Sequence, residues 1–295
     1  SYSLNVSCFG GSNGSATLTA SGGKLPYVYL WNDTFSQTTA TVTGLAAGTY
    51  TVTVTDSLSC VTTISATITE PPLLLANIDT VNNISCNGAC DGSITVAPSG
   101  GTPGYSYFWS TVPQQMTAVA TGLCPGNYKI TIVDGNGCLA QDSAIVTQPP
   151  VFTASINSVT HLNCNGVNNG SASVSAFGGT TPYSYSWSTV PVQTDSVAMG
   201  LSASTDSVIV SDFNGCADTL TFVINEPPVL TAVITDSVNV SCFGGNDGEA
   251  TVTASGGSGL YVYSWNTNPV QTGTIATGLS AGSYSLTVTD NNGCD

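Results

Sequence analysis

Tryptophan falls at Trp31, Trp109, Trp187 and Trp265, and each step is 78 residues. Cys8, Cys86, Cys164 and Cys242 keep the same step, as do Cys60, Cys138, Cys216 and Cys294. The Gly-Leu pairs beginning at Gly44, Gly122, Gly200 and Gly278 repeat it again. A period held through four copies without a change in length constrains loops as tightly as strands. It marks a tandem array of one structural unit.

Each copy reads as strands. In the first, Ser15 to Ala20 alternates small polar with apolar residues, and Tyr27-Val-Tyr-Leu-Trp31 follows. Thr38 to Val42, Thr49 to Thr55 and Val61 to Ile68 continue the pattern. These are period-2 runs rich in β-branched residues. Gly22-Gly23 with Pro26, then Gly44, Gly48 and Asp56-Ser-Leu-Ser, separate them as turns. No segment has helical periodicity. Short strands at regular spacing predict an all-β chain of four tandem immunoglobulin-like β-sandwich modules of 78 residues each, forming an elongated, disulfide-stapled array.

Glu70-Pro-Pro, Gln148-Pro-Pro and Glu226-Pro-Pro recur at the same step. Pro-Pro cannot continue a sheet ladder and stiffens a junction, so the boundaries are placed there. Modules then span 1–70, 71–148, 149–226 and 227–295. A complete module, as at 71–148 and 149–226, opens with a strand like Leu73 to Ile78 and closes with one like Cys138 to Thr147. On this frame the first module lacks its first strand and the fourth its last. Open edges of that kind invite aggregation, so the natural chain is expected to continue in both directions.

Composition narrows the function. Among 295 residues there are two basic side chains, Lys24 and Lys129, and the net charge is −15. Phosphate tracking needs clustered Lys and Arg, which excludes a nucleic-acid surface and disfavours anionic lipid. No run approaches 18 apolar residues, so no membrane insertion is expected in this segment. A hydrophobic content of 41% still permits small cores.

The ten cysteines point to an oxidising compartment, against the alternative of buried free thiols. The two recurring positions within a copy predict the pairs Cys8–Cys60, Cys86–Cys138, Cys164–Cys216 and Cys242–Cys294. A bridge of that span contributes about 4 kcal/mol on the chain-entropy model. Cys90 and Cys124 occur only in copy two and read as a fifth bridge. Zinc held by Cys86, Cys90, Cys124 and Cys138 is the rival, but no tight knuckle spacing supports it.

Tyr27, Tyr29 and Trp31 share one strand face, and the triplet recurs at Tyr105, Tyr107, Trp109, at Tyr183, Tyr185, Trp187 and at Tyr261, Tyr263, Trp265. A core strand is the favoured reading, and an exposed platform for stacking on sugars is the alternative. Tyr50, Tyr128 and Tyr284 resemble a tyrosine corner; copy three has Asp206 there and is expected to be looser. Asp56, Asp134, Asp212 and Asp290 read as turn residues. No cofactor is required; bound calcium, which would need several converging oxygens, is the alternative. His161 is the single histidine and reads as a solvated strand residue with no catalytic partners.

Asp followed by Ser or Thr and an aliphatic residue occurs at Ser57, Thr80, Ser143, Ser196, Ser207, Thr219 and Ser237. Average composition gives about two such triplets by chance. The triplet is similar to the O-glycosylation signal of Bacteroidota, and the alternative is simple turn formation.

Val6-Ser-Cys-Phe-Gly-Gly-Ser-Asn-Gly14, Ala20-Ser-Gly-Gly23, the Tyr-x-Tyr-x-Trp strand, the run from Gly44 to Asp56 and Asn292-Gly-Cys294 together resemble the SprB repeat. That repeat is found in very large gliding-motility adhesins of Bacteroidota, and the resemblance covers all four copies. It implies a stalk or filament segment of a secreted cell-surface adhesin, exported by type IX secretion and attaching to a substratum or surface polysaccharide. It implies no catalytic residues. A repeated carbohydrate-binding module of a secreted multidomain protein is the alternative, and it requires exposed aromatic faces.

Overall fold

The computed structural model describes residues 1–295 and contains strands without helices. No helix is therefore long and apolar enough to cross a membrane. Copy one forms β1 (Tyr2–Leu4), β2 (Gly14–Thr17), β3 (Val28–Trp31), β4 (Thr41–Leu45), β5 (Gly48–Thr55) and β6 (Val61–Ile68). Copy two forms β7 (Ile78–Asn82), β8 (Gly92–Val96), β9 (Ser106–Trp109), β10 (Val119–Leu123), β11 (Gly126–Val133) and β12 (Leu139–Val146). Copy three forms β13 (Thr153–Thr160), β14 (Gly170–Phe177), β15 (Ser184–Trp187), β16 (Val197–Leu201), β17 (Ser204–Ser211) and β18 (Ala217–Ile224). Copy four forms β19 (Thr231–Val238), β20 (Gly248–Ser255), β21 (Val262–Trp265), β22 (Ile275–Leu279) and β23 (Leu286–Thr289).

Each copy is a sandwich of two small antiparallel sheets. In copy one the orders are β1-β2-β4 and β3-β5-β6, and copies two and three repeat both. Copy four keeps β19-β20-β22, and its second sheet is the pair β21-β23. The chain divides into two compact units, Ser1–Gln148 and Pro149–Asp295.

Alternation decides the cores. Along β11, Ile130 and Ile132 are buried while Lys129 and Thr131 are not. Val52 and Val54 do the same in β5, and Val208 and Val210 in β17. Trp31, Trp109, Trp187 and Trp265 are all at most 2% exposed, each within its own copy's apolar cluster. Their indole N–H groups donate to the carbonyls of Thr39, Thr117, Asp195 and Gly273. A buried indole needs such a partner. The end of the last strand closes the core in three copies, through Ile68, Val146 and Ile224.

Two strand boundaries differ from the sequence reading. The strand predicted over Thr38 to Val42 begins at Thr41, because the carbonyls of Gln37 and Thr39 are taken by the Trp31 backbone and indole N–H groups. The strand predicted over Leu73 to Ile78 is a single bridge, Leu75 to Ser99, with β7 starting at Ile78. Pro71 and Pro72 carry no N–H, and the Pro72 carbonyl accepts from Gly101 N at 2.8 Å, so the linker is tied down differently. In copy one, β1 is the counterpart of the end of β7 and pairs Tyr2 with Thr17 and Leu4 with Ser15.

The tyrosine position carries a corner hydrogen bond in three copies: Tyr50, Tyr128 and Tyr284 donate to the carbonyls of Ala46, Cys124 and Ser280. In copy three the Asp206 carboxylate accepts instead from the hydroxyls of Ser188 and Ser204. Copy three therefore holds this corner by different chemistry.

Candidate functional site: a staple between successive repeats

Val6 N donates to Thr69 O, which places the Cys8 loop at the far end of β6. Cys60 immediately precedes the start of that strand. Eight residues of strand separate the two ends by roughly 26 Å. A disulfide needs Cα atoms within about 7 Å, so the predicted Cys8–Cys60 pair is sterically excluded. The structure instead joins Cys8 to Cys138, with Cα atoms 5.7 Å apart and 130 residues between them. Cys164 joins Cys294 with the same separation and the same Cα distance. The predicted pairs Cys86–Cys138, Cys164–Cys216 and Cys242–Cys294 are overturned with it. Cys86 and Cys216 are also disulfide-bonded. Cys60 and Cys242 carry exposed free thiols. Cys90 and Cys124 are bridged to each other, which removes two of the four ligands of the zinc alternative.

The rule in both units is that the first-position cysteine of one copy bonds the second-position cysteine of the next. Local chemistry brings them together. Gly10 N donates to the Glu70 carboxylate, tying the Cys8 loop to the linker. The linker docks on copy two through Pro72 O and Gly101 N, while the Leu74 side chain is buried. Gly101 lies beside Asp134, whose carboxylate organises the turn that carries Cys138. Asp134 Oδ1 accepts from Asn136 N and Cys138 N, both at 2.9 Å, and Oδ2 accepts from Thr102 N at 2.8 Å. Asn136 Nδ2 then reaches across to Ser7 O at 2.9 Å. In the second unit Asn292 Nδ2 donates to Asn163 O at 2.8 Å.

These aspartates are turn organisers. Asp134, Asp212 and Asp290 are buried, and their oxygens face N–H donors rather than the oxygen-rich shell that calcium takes. At Asp134 burial works against ionisation, but the N–H groups of Thr102, Cys138, Asn136 and Gly137 outweigh it and hold the carboxyl below the usual range. At Asp290 the Cys294 N–H leads the same lowering, against desolvation. A folded-state value below the unfolded one stabilises the fold above the unfolded pKa, and that contribution is lost as pH falls. Urea unfolding midpoints are therefore expected to drop below about pH 4. Asp134→Asn should lower stability at neutral pH and flatten that acid dependence. An unchanged pH profile in the variant would contradict this role.

Gly100 has φ +73°, and an added Cβ there would collide with the Leu73 carbonyl oxygen, so the backbone of the linker rests directly on this turn. Gly178 and Gly256 stand in the same relation to Val151 and Val229.

The sugar-stacking alternative loses its platform, because the four tryptophans are buried and the tyrosines of the triplets are at least partly covered. His161 lies just past β13, exposed, and its Nδ1 accepts from Asn225 N. Asn5 and Asn83 fill this place elsewhere, accepting from Thr69 N and Thr147 N. The histidine is a local backbone tie. Of the seven candidate glycosylation residues, Ser57, Thr80, Ser143, Ser196, Thr219 and Ser237 are exposed and Ser207 is half-buried.

A family model described as SprB repeat matches residues 3–34, 78–114, 156–192 and 234–270. No curated protein sequence matches. Solved structures that align with this chain include three N-terminal domains of the bacteriophage RB49 Hoc capsid protein, at 14% identity and TM-score 0.37, covering 75% of this chain and 84% of that one. A tetra-tandem repeat from the extending region of a large adhesion protein aligns at 13% identity and TM-score 0.27, covering 98% and 87%. Invasin, a bacterial integrin-binding protein, aligns at 10% identity and TM-score 0.35, covering 98% and 76%.

Proposed function

Because the chain is a SprB-type repeat protein, we propose that it is a load-bearing stalk segment of a large secreted cell-surface adhesin, of the gliding-motility kind and exported by type IX secretion. The observation that carries this reading is the Cys8–Cys138 and Cys164–Cys294 connectivity. A bridge confined to one copy protects that copy alone. A bridge from one copy to the next passes tension across the linker through covalent bonds. The docked Pro72 carbonyl and buried Leu74 fix the same linker by noncovalent means. Disulfides on this scale belong to an extracellular compartment. Adhesion to a substratum or polysaccharide is assigned to the parent protein, with these repeats as spacers.

The six exposed hydroxyls of the Asp-Ser/Thr-aliphatic triplets are accessible to glycosylation, which would add bulk to a surface with few charges. Mass analysis of the native protein should find hexose-containing mass on those residues and none on Ser207.

Antibody raised against residues 71–226 should label intact cells of the source organism, and the labels should travel along the cell surface. Stationary labels would remove the gliding assignment. Absence of surface label would remove the adhesin reading.

A further inference from the structure

Copy one carries a cavity of about 190 Å³ beside Cys60, lined by Ala20, Gly23, Tyr27, Val54 and Asp56 among others. The corresponding places in copies two and three are filled, and copy four repeats their backbone contact. In copy two, Leu74 packs against Gly101 while Gly101 N donates to Pro72 O. In copy three, Phe152 packs against Gly179 and Tyr183, with ring centroids of Phe152 and Tyr183 5.9 Å apart, while Gly179 N donates to Pro150 O at 3.0 Å. In copy four, Gly257 N donates to Pro228 O at 2.9 Å. Gly23 and Tyr27 are the counterparts of Gly101 and Tyr105 at the 78-residue step. In copies two and three the occupant is a Pro-Pro linker followed by an apolar side chain two residues on, and in copy four the Pro-Pro linker makes the same backbone bond.

The cysteine turn beside this cavity is built as in the bonded copies. Asp56 Oδ1 accepts from Leu58 N and Cys60 N, both at 2.9 Å, as Asp134 does from Asn136 and Cys138. Ser59 holds φ +64°, where the bonded turns have Gly137 at +85° and Gly293 at +80°. That conformation is uncommon for a residue with a side chain. One difference stands out: Leu58 replaces the asparagine that reaches across at Cys138 and Cys294, so this turn offers no side-chain amide donor.

We propose that this face of copy one is a docking site for a further SprB repeat preceding it in the same polypeptide. The repeat's Pro-Pro-x-Leu linker would fill the cavity, and its first-position cysteine would bond Cys60. The inference rests on the geometry of sister copies and stands whether or not the parent protein is an adhesin. The covalent step is a thiol–disulfide exchange. The Cys60 thiol and the incoming thiol each lose a proton, two electrons pass to a small-molecule disulfide such as oxidised glutathione, and one protein S–S bond and two small-molecule thiols result.

The test places a second copy of residues 1–78 directly before Ser1, which keeps the repeat frame, and refolds the five-copy chain with oxidised glutathione. Proteolysis without reduction should give a peptide pair joining the added first-position cysteine to Cys60. Maleimide, which labels Cys60 in the four-copy chain, should no longer do so. Replacing the added linker leucine that corresponds to Leu74 by Asp should restore at least half of the Cys60 labelling. Full labelling of Cys60 in the five-copy chain, or a bond from the added cysteine to the second-position cysteine of its own copy, would overturn the proposal. A disulfide-linked dimer of the four-copy chain through Cys60 would assign the site to a second molecule and overturn it equally.

Discussion

Pulled by its termini, the oxidised chain should lengthen by little more than the residues outside its staples. Each of the bridges Cys8–Cys138 and Cys164–Cys294 removes 130 residues from the mechanical path. At 3.3–3.6 Å per extended residue, reduction should return roughly 430–470 Å of contour for each bridge. Pairing within copies would give smaller steps. Cys8 and Cys60 lie 52 residues apart, which corresponds to roughly 170–190 Å per bridge. Single-molecule force spectroscopy with and without reductant separates the two. The same closure constrains the unfolded chain, a contribution of about 5 kcal/mol per bridge on the chain-entropy model. Cys138→Ser should therefore both lower the unfolding midpoint and release the longer increment.

The second large effect belongs to the indoles. Trp109 is 1% exposed and its Nε1 donates to Thr117 O at 2.9 Å. Its removal leaves a cavity among Ile94, Ala120 and Ile130, members of the same cluster. Trp109→Ala should cost about 3–5 kcal/mol. That is comparable with the whole stability of a small domain, typically about 5–15 kcal/mol. Urea unfolding should then show copy two melting ahead of the rest. Leu30→Ser is the control. Leu30 sits on the opposite strand face and is 51% exposed, so its cost should stay within about 0.5 kcal/mol. Equal losses in both variants would contradict the core assignment of the aromatic face.

The repeat period and strand alternation were sufficient for the sandwich, because both report on side-chain burial and burial is local in sequence. The Trp face followed from parity alone. The cysteine pairing did not, although strand length bears directly on it. Val61 to Ile68 read as one unbroken strand, and an unbroken strand of eight residues holds its ends apart. What the periodicity could not supply was which end of β6 meets the Cys8 loop. That is set by a backbone bond from Val6 N to Thr69 O, which any residue type could make. Period arithmetic is also blind to a shift by a whole copy: separations of 52 and 130 differ by one repeat of 78. The extra pair Cys90 and Cys124 was easier, since only one copy carries it and no repeat ambiguity arises. At Asp206 the missing tyrosine was legible in the sequence, and the hydrogen bonds its carboxylate accepts from Ser188 and Ser204 were not.

Direct mapping of the disulfides tests the central claim, that successive repeats are covalently stapled to each other. Lys24 and Lys129 are the two tryptic sites, and they place Cys8, Cys60 and Cys138 on three different peptides. Trypsin without reduction, followed by cleavage at Asp to isolate directly bonded pairs, resolves the connectivity by mass. The predicted result is a Cys8 peptide bonded to the Cys138 peptide and a Cys164 peptide bonded to the Cys294 peptide, with Cys60 and Cys242 open to alkylation. A Cys8 peptide bonded to the Cys60 peptide would contradict it.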